Sequence, residues 1–201
     1  FDAGLIGKGV LHYLPKLREN GPIMLPRGAT VWAQLVECRN SFDDSNIDVA
    51  LTNPYLWTQD YRSLDTLKHR KLSKPFIVTE MNFNTVEPRG IDYGQLGVDV
   101  EHTGVVSAVI FWFELDLIST TLDSREAYWK PAIQFLPEFR VKGNTKTKIC
   151  CRHNTYAFQF GIVDPKSLDL LPTVRFDSLY LKRSEELQKQ LEEIAGRISR
   201  N

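Results

Sequence analysis

Gly104-Val105-Val106-Ser107-Ala108-Val109-Ile110-Phe111-Trp112-Phe113-Glu114-Leu115-Asp116-Leu117 is the longest strand-like run in the chain. Its centre is almost continuously apolar and dominated by β-branched and aromatic side chains, the pattern of a central strand covered on both faces. Thr30-Val31-Trp32-Ala33-Gln34-Leu35-Val36-Glu37 has the same character, and its Val31-Trp32-Ala33 portion again implies burial on both sides. Residues 75–83, 129–135, 145–152 and 155–163 read as further strands, with Gly143-Asn144 and His153-Asn154 as turns between them. Residues 118–125 read as a Ser/Thr-rich connection. Strands that succeed one another through short turns, with no helix between, predict an antiparallel barrel or sandwich.

On the N-terminal side, Leu5, Ile6, Val10, Leu11, Leu14 and Leu17 recur with a helical period interrupted at Pro15. This predicts one helix within residues 5–19, kinked or shortened, and ended by Asn20-Gly21-Pro22. Gly4, Gly7 and Gly9 precede it among apolar neighbours, which describes a tight loop passing close to another object. The loop lacks the Gly-x-Gly-x-x-Gly order of a dinucleotide fingerprint.

Between residues 40 and 73 the strand pattern is lost, although Phe42, Tyr55, Trp57 and Tyr61 are scattered through it. A long irregular stretch within a compact domain is usually functional or inserted. Beyond Val163, Asp164-Pro165 and Leu171-Pro172 mark a linker, after which Leu187, Leu191, Ile194 and Ile198 form an apolar stripe on a charged helix. Two heptads are too short to hold a coiled coil alone, so docking onto another part of the protein is expected.

The 201 residues contain 25 Lys plus Arg and 25 Asp plus Glu, so no broad field draws in nucleic acid or anionic lipid. No apolar run is long enough to cross a bilayer. The basic string Lys142, Lys146, Lys148 and Arg152 alternates on a hairpin without interleaved aromatics, the pattern of a solvated side. Three cysteines, Cys38, Cys150 and Cys151, do not make a disulfide framework, and a reducing compartment is expected. Joining Cys150 or Cys151 to His153 gives poor zinc-ligand spacing, and buried strand thiols are the plainer reading. His12, His69 and His102 have no nucleophile or carboxylate at informative spacing. Glu114 and Asp116 share one face of the long strand, as a carboxylate pair or as its polar end.

Several of these segments carry a resemblance. Phe1-Asp2-Ala3-Gly4-Leu5-Ile6-Gly7-Lys8-Gly9 resembles the loop of the protein arginine methyltransferases in which two glutamates clamp the substrate guanidinium. Ala29-Thr30-Val31-Trp32-Ala33-Gln34-Leu35-Val36-Glu37 looks like the first barrel strand of that family. Tyr128-Trp129-Lys130, followed by Gln134-Phe135-Leu136-Pro137, is similar to its Thr-His-Trp loop and the next strand. Order and spacing match the branch with tandem modules.

The resemblance implies a mainly β fold: an antiparallel β-barrel over residues 23–163, a loop and connecting helix over 1–22, and a linker with a C-terminal amphipathic helix over 164–201. The family's α/β cofactor domain has no counterpart in these residues. With no initiating Met, the chain is expected to be the rear part of a longer protein, inert by itself. For that parent the implied reaction is S-adenosylmethionine-dependent methylation of arginine in proteins, in cytoplasm or nucleus. Implied partners are an arginine-containing protein and a second copy or sister module, the latter engaged through an arm inserted at about 40–73. A surface loop is the other reading of that arm. No nucleic acid, membrane or metal partner is implied.

Two departures bear on the site. The position matching the second clamp glutamate is Lys8, and the first would lie before Phe1. An ammonium beside a guanidinium repels it and removes a bidentate acceptor. Ala127-Tyr128-Trp129 replaces Thr-His-Trp, which keeps the indole of the pocket wall but exchanges an imidazole for a phenol. Lys8, Tyr128 and Trp129 are therefore the candidate site residues. The alternative to an enzyme part is a non-catalytic module that binds a partner protein.

Overall fold

The computed structural model describes residues 4–21, 24–38, 68–127 and 129–162, without the side chains of residues 20 and 92. The predicted C-terminal helix, the linker and residues 40–67 of the inserted segment lie outside these residues. One helix, α1 (Val10–Asn20), precedes nine strands: β1 (Gly28–Cys38), β2 (His69–Lys71), β3 (Phe76–Asn82), β4 (Ile91–Val100), β5 (Gly104–Asp116), β6 (Thr121–Asp123), β7 (Ala132–Val141), β8 (Thr145–His153) and β9 (Phe158–Ile162).

The long apolar runs become the two central strands. β1 and β5 pair antiparallel from Gly28↔Asp116 to Val36↔Ala108. On its other edge β1 carries β3 and then β2, while β5 carries β7 and then β6, giving a six-stranded sheet. β4, β8 and β9 form a second, three-stranded antiparallel sheet. Alternation along β1 and β5 places Val31, Ala33, Leu35, Val109, Phe111 and Phe113 in one core cluster, which Phe158, Phe160 and Ile162 of the second sheet join. The opposite faces supply Val36, Cys38, Ala108, Ile110 and Trp112 to a separate buried cluster. Both faces of the central strands are thus covered, as the unbroken apolar runs required.

The sheets are joined along two seams. At one, Ser73 bridges to Val100, Lys74 N donates to Asp99 O at 3.2 Å and Glu101 N to Leu72 O at 2.8 Å. At the other, no main-chain ladder links β7 to β9, and the buried amide of Gln134 takes its place: Nε2 donates to Phe160 O and Oε1 accepts from Phe160 N, each at 2.9 Å. The result is the expected mainly antiparallel barrel-like fold.

Three expectations are corrected in detail, and β4 occupies residues 91–100, to which the sequence reading assigned no element. The segment expected to be irregular to residue 73 is already paired at β2, where Lys71 faces Val36. The Ser/Thr-rich connection contains β6, which pairs Leu122 with Leu115. β7 begins at Ala132, just after Pro131, and runs past Pro137 to Val141 because the register shifts opposite Ser107: Val106 pairs with Phe139 and Ala108 with Phe135. A proline without an N–H is tolerated at such an irregularity. Pro15 is accommodated inside α1 without ending it.

Candidate functional site at the helix end of the barrel

Residues 4–9 form a compact series of turns whose apolar side chains go inward. Ile6 N donates to Gly4 O and Gly9 N to Ile6 O, both at 2.9 Å. Leu5 and Ile6 are fully buried in the main core, whereas Lys8 is exposed. Leu5 (φ 71°) and Gly9 (φ 70°) adopt left-handed backbone, a conformation that suits Gly9 and strains Leu5. Gly9 is also the N-cap of α1, and a Cβ there would stand 3.0 Å from the Tyr156 ring. The loop is therefore a fixed projection from the core that presents the Lys8 side chain to solvent.

α1 contacts the β8 to β9 turn and the connection between β3 and β4. Leu11 and Leu14 enter the core. Near the N-terminus, His12 Nε2 lies 3.0 Å from Thr155 Oγ1 and its ring stacks on Tyr156 with centroids 5.0 Å apart. Near the C-terminus, Arg18 donates to Asn84 O at 3.1 Å and Val86 O at 2.5 Å. Sequence reading found no nucleophile or carboxylate at informative spacing from His12, and the hydroxyl it contacts lies 143 residues away.

Trp129 is partly buried and packs against the same core as Leu5 and Ile6, its ring centroid 5.6 Å from that of Phe113. The anchors of the Lys8 loop and the indole thus both belong to the main core, which extends through α1 and both sheets. Tyr128 falls outside the described residues. Glu114 and Asp116 do share a face of β5, but Asp116 is engaged by Arg27 at 3.0 Å and accepts from Ile118 N at 2.9 Å. That main-chain donor, and then Arg27, hold its carboxyl below the ordinary range. Opposite Glu114 on β6, burial works against the Asp123 carboxylate, but Arg125 side-chain and main-chain hydrogen bonds outweigh this and hold its pKa down. Arg125 also stacks over Trp112 at 4.2 Å.

The end of β8, which sequence reading had placed in a turn with Asn154 and weighed beside the cysteines, carries a buried imidazole. His153 Nδ1 accepts from Thr155 N at 3.1 Å, and its ring stands 5.6 Å from Tyr93 and 5.5 Å from Phe158. Burial pushes its pKa down to about 4, so it is neutral at pH 7. Cys38 and Cys151 are buried thiols and Cys150 is half-buried. Among the described residues, no group of three or more His, Cys, Asp or Glu side chains is placed to hold a metal. Of the basic string, Lys146 approaches Asp99 at 3.6 Å and Arg152 donates to Gln159 at 2.6 Å.

No family model matches the chain. Over 154 residues, 64% of this chain, it is 29% identical to protein arginine N-methyltransferase 7 of Aedes aegypti. The match spans 22% of that relative, so the chain corresponds to well under a third of its length. In structure it is similar to a chain of the Trypanosoma brucei PRMT1 enzyme-prozyme heterotetrameric complex with AdoHcy, at a TM-score of 0.64, 10% identity, and coverage of 85% of this chain and 63% of that one. A crystal structure of PRMT6 aligns at a TM-score of 0.48 and 16% identity, over 70% of this chain and 55% of that one.

Proposed function

This chain has the β-barrel fold of the protein arginine N-methyltransferases, and from that premise we propose that it forms the substrate-side wall of an arginine methyltransferase module. The supporting observation is the shared foundation of two separate motif matches: the loop bearing Lys8 and the Trp129 indole pack on one core. In this reading an arginine side chain of a protein substrate lies between loop and indole. The indole offers a flat face to the guanidinium plane.

S-adenosylmethionine, held by a separate cofactor domain, supplies the methyl group. The residues of this chain orient the acceptor. A delocalised cation is a poor nucleophile unless it is fixed in line, so the wall acts chiefly through positioning. In this reading the part of the inserted segment that precedes β2 is the dimerising arm of the parent protein, and the barrel by itself does not transfer methyl groups.

A second reading is favoured by one observation, the exposed ammonium of Lys8 at the place where the resemblance implies a carboxylate. With that charge the module acts as a non-catalytic scaffold for a protein partner or sister module. The parent protein decides between the two when tested with Lys8→Glu, a labelled methyl donor and an arginine-rich acceptor protein. An increase in transfer of tenfold or more is expected if this position faces the guanidinium. Unchanged transfer in a folded variant would count against the pocket assignment.

A further inference from the structure

We propose that the β8 to β9 turn is a latch that positions the Lys8 loop, with Thr155 and Tyr156 as its positioning residues. This inference gives those residues a part in the site proposed above and rests on that reading only for its functional consequence.

The first observation is backbone strain. Thr155 has φ 80° and is buried. Its branched Cβ crowds the main chain in this region, which glycine or asparagine occupies far more easily. Such a residue persists when its surroundings hold it in place and its side chain has a use there. The surroundings are a set of local hydrogen bonds: Asn154 Oδ1 accepts from Tyr156 N and Ala157 N at 3.1 and 3.0 Å, and His153 Nδ1 accepts from Thr155 N. The use is the contact of the threonine hydroxyl with His12 Nε2.

The second observation is independent of the first. Tyr156 stays about half exposed, yet its ring stacks on His12 and closes against Gly9, where a Cβ would meet it at 3.0 Å. Gly9 ends the loop and begins α1, so the ring fixes the point where loop becomes helix. The turn meets the first turn of α1 through a hydroxyl and a stacked ring on His12, and meets the loop through the approach to Gly9, the residue after Lys8. Moving the turn moves the loop, while Leu5 and Ile6 still anchor its base in the core.

The test uses the 201-residue chain, with amide hydrogen exchange read at Ile6 and Gly9 and, as an internal reference, at Val109 in the central strand. Thr155→Gly removes both the strain and the hydroxyl. The loop amides should exchange at least tenfold faster while the urea midpoint holds or rises, an opposition that a purely structural role would not produce. Tyr156→Ala should give the same local loosening, and Tyr156→Phe, which keeps the stack, should restore the wild-type rates. In NMR spectra the ring current of Tyr156 should shift the carbon-bound imidazole protons of His12 upfield, and Tyr156→Ala should abolish that shift. Loop amides that keep their protection in both Thr155→Gly and Tyr156→Ala would overturn the latch, as would loss of protection only in step with Val109. None of these measurements needs methyl donor or acceptor. A negative Lys8→Glu result therefore leaves the latch standing, and a failed latch leaves the site assignment open to its own test.

Discussion

The side-chain amide of Gln134 exchanges two hydrogen bonds with the main chain of Phe160, and so acts as one rung of a ladder that the backbones of β7 and β9 do not make. Gln134 and Phe160 are both buried, so water cannot substitute for the lost partner of either main-chain group. Gln134→Leu keeps approximate volume and leaves the Phe160 N–H and C=O unpaired. Each buried unsatisfied group costs about 1–3 kcal/mol, so a loss of roughly 2–4 kcal/mol is expected. The check is the urea midpoint. A loss below 1 kcal/mol would show that the seam does not depend on this side chain.

His153 makes stability depend on pH in a definite direction. Its pKa is about 4 in the folded chain against 6.5 for the free side chain, and burial is the cause. Between those values the unfolded chain holds a proton that the folded chain does not, so stability falls as pH drops from about 6.5 towards 4 and is level above that window for this group. The difference corresponds to a loss on the order of 3 kcal/mol, from about 1.4 kcal/mol per pKa unit. Protonation also turns Nδ1 into a donor facing Thr155 N, which breaks the turn described above. At the alkaline end burial lifts Tyr93 to about 12 from 10, so stability falls again as pH rises through that interval. Chemical denaturation of wild type and His153→Gln at pH 7.5 and 4.5 tests the acid limb: the variant should lose markedly less between the two.

Two glycines that look alike in sequence should respond oppositely to alanine. A Cβ on Gly28 would stand 2.3 Å from Met81 O, main chain of the paired strand β3, so Gly28→Ala forces β1 and β3 apart. Overpacking of this kind costs about 1–3 kcal/mol or more. Gly97 has nothing within 4 Å of its Cβ position, and Gly97→Ala should be neutral or stabilise by up to about 1 kcal/mol through the unfolded chain. Thermal midpoints of the two variants side by side give the answer, and equal shifts would contradict the argument.

The strands that were legible in sequence are those whose pattern is local. β1 and β5 are long, β-branched and covered on both faces, so their composition alone identifies them. β4 was hidden because its alternation changes phase. Ile91 and Tyr93 keep one phase, Leu96, Val98 and Val100 the other, and the register shift between Asp92 and Gln95, with Gly94 at φ 65°, accounts for the switch. β6 is only three residues long and takes its strand character from pairing with β5. In the candidate site the Lys8 loop was legible because glycine spacing and apolar anchors lie within nine residues. The latch was not, since His12 and Thr155 meet only after the barrel closes, and a lone threonine in a turn carries no signal of left-handed backbone.

Arg18 provides the last test, because it secures the end of α1 away from the latch. Its guanidinium donates to Asn84 O and Val86 O, two carbonyls of the connection between β3 and β4, and its Nε lies 3.3 Å from Leu14 O. A planar fork reaches two carbonyls at once, whereas the ammonium of lysine is a point donor on a flexible stem. Arg18→Met should cost about 2 kcal/mol through loss of charge-assisted hydrogen bonds, and Arg18→Lys should recover less than half of that. Urea midpoints measure both, and exchange at the α1 amides should rise in the same order. Full recovery by lysine would mean that a positive charge near the helix C-terminus, and not the forked contact, is what holds α1 to the barrel.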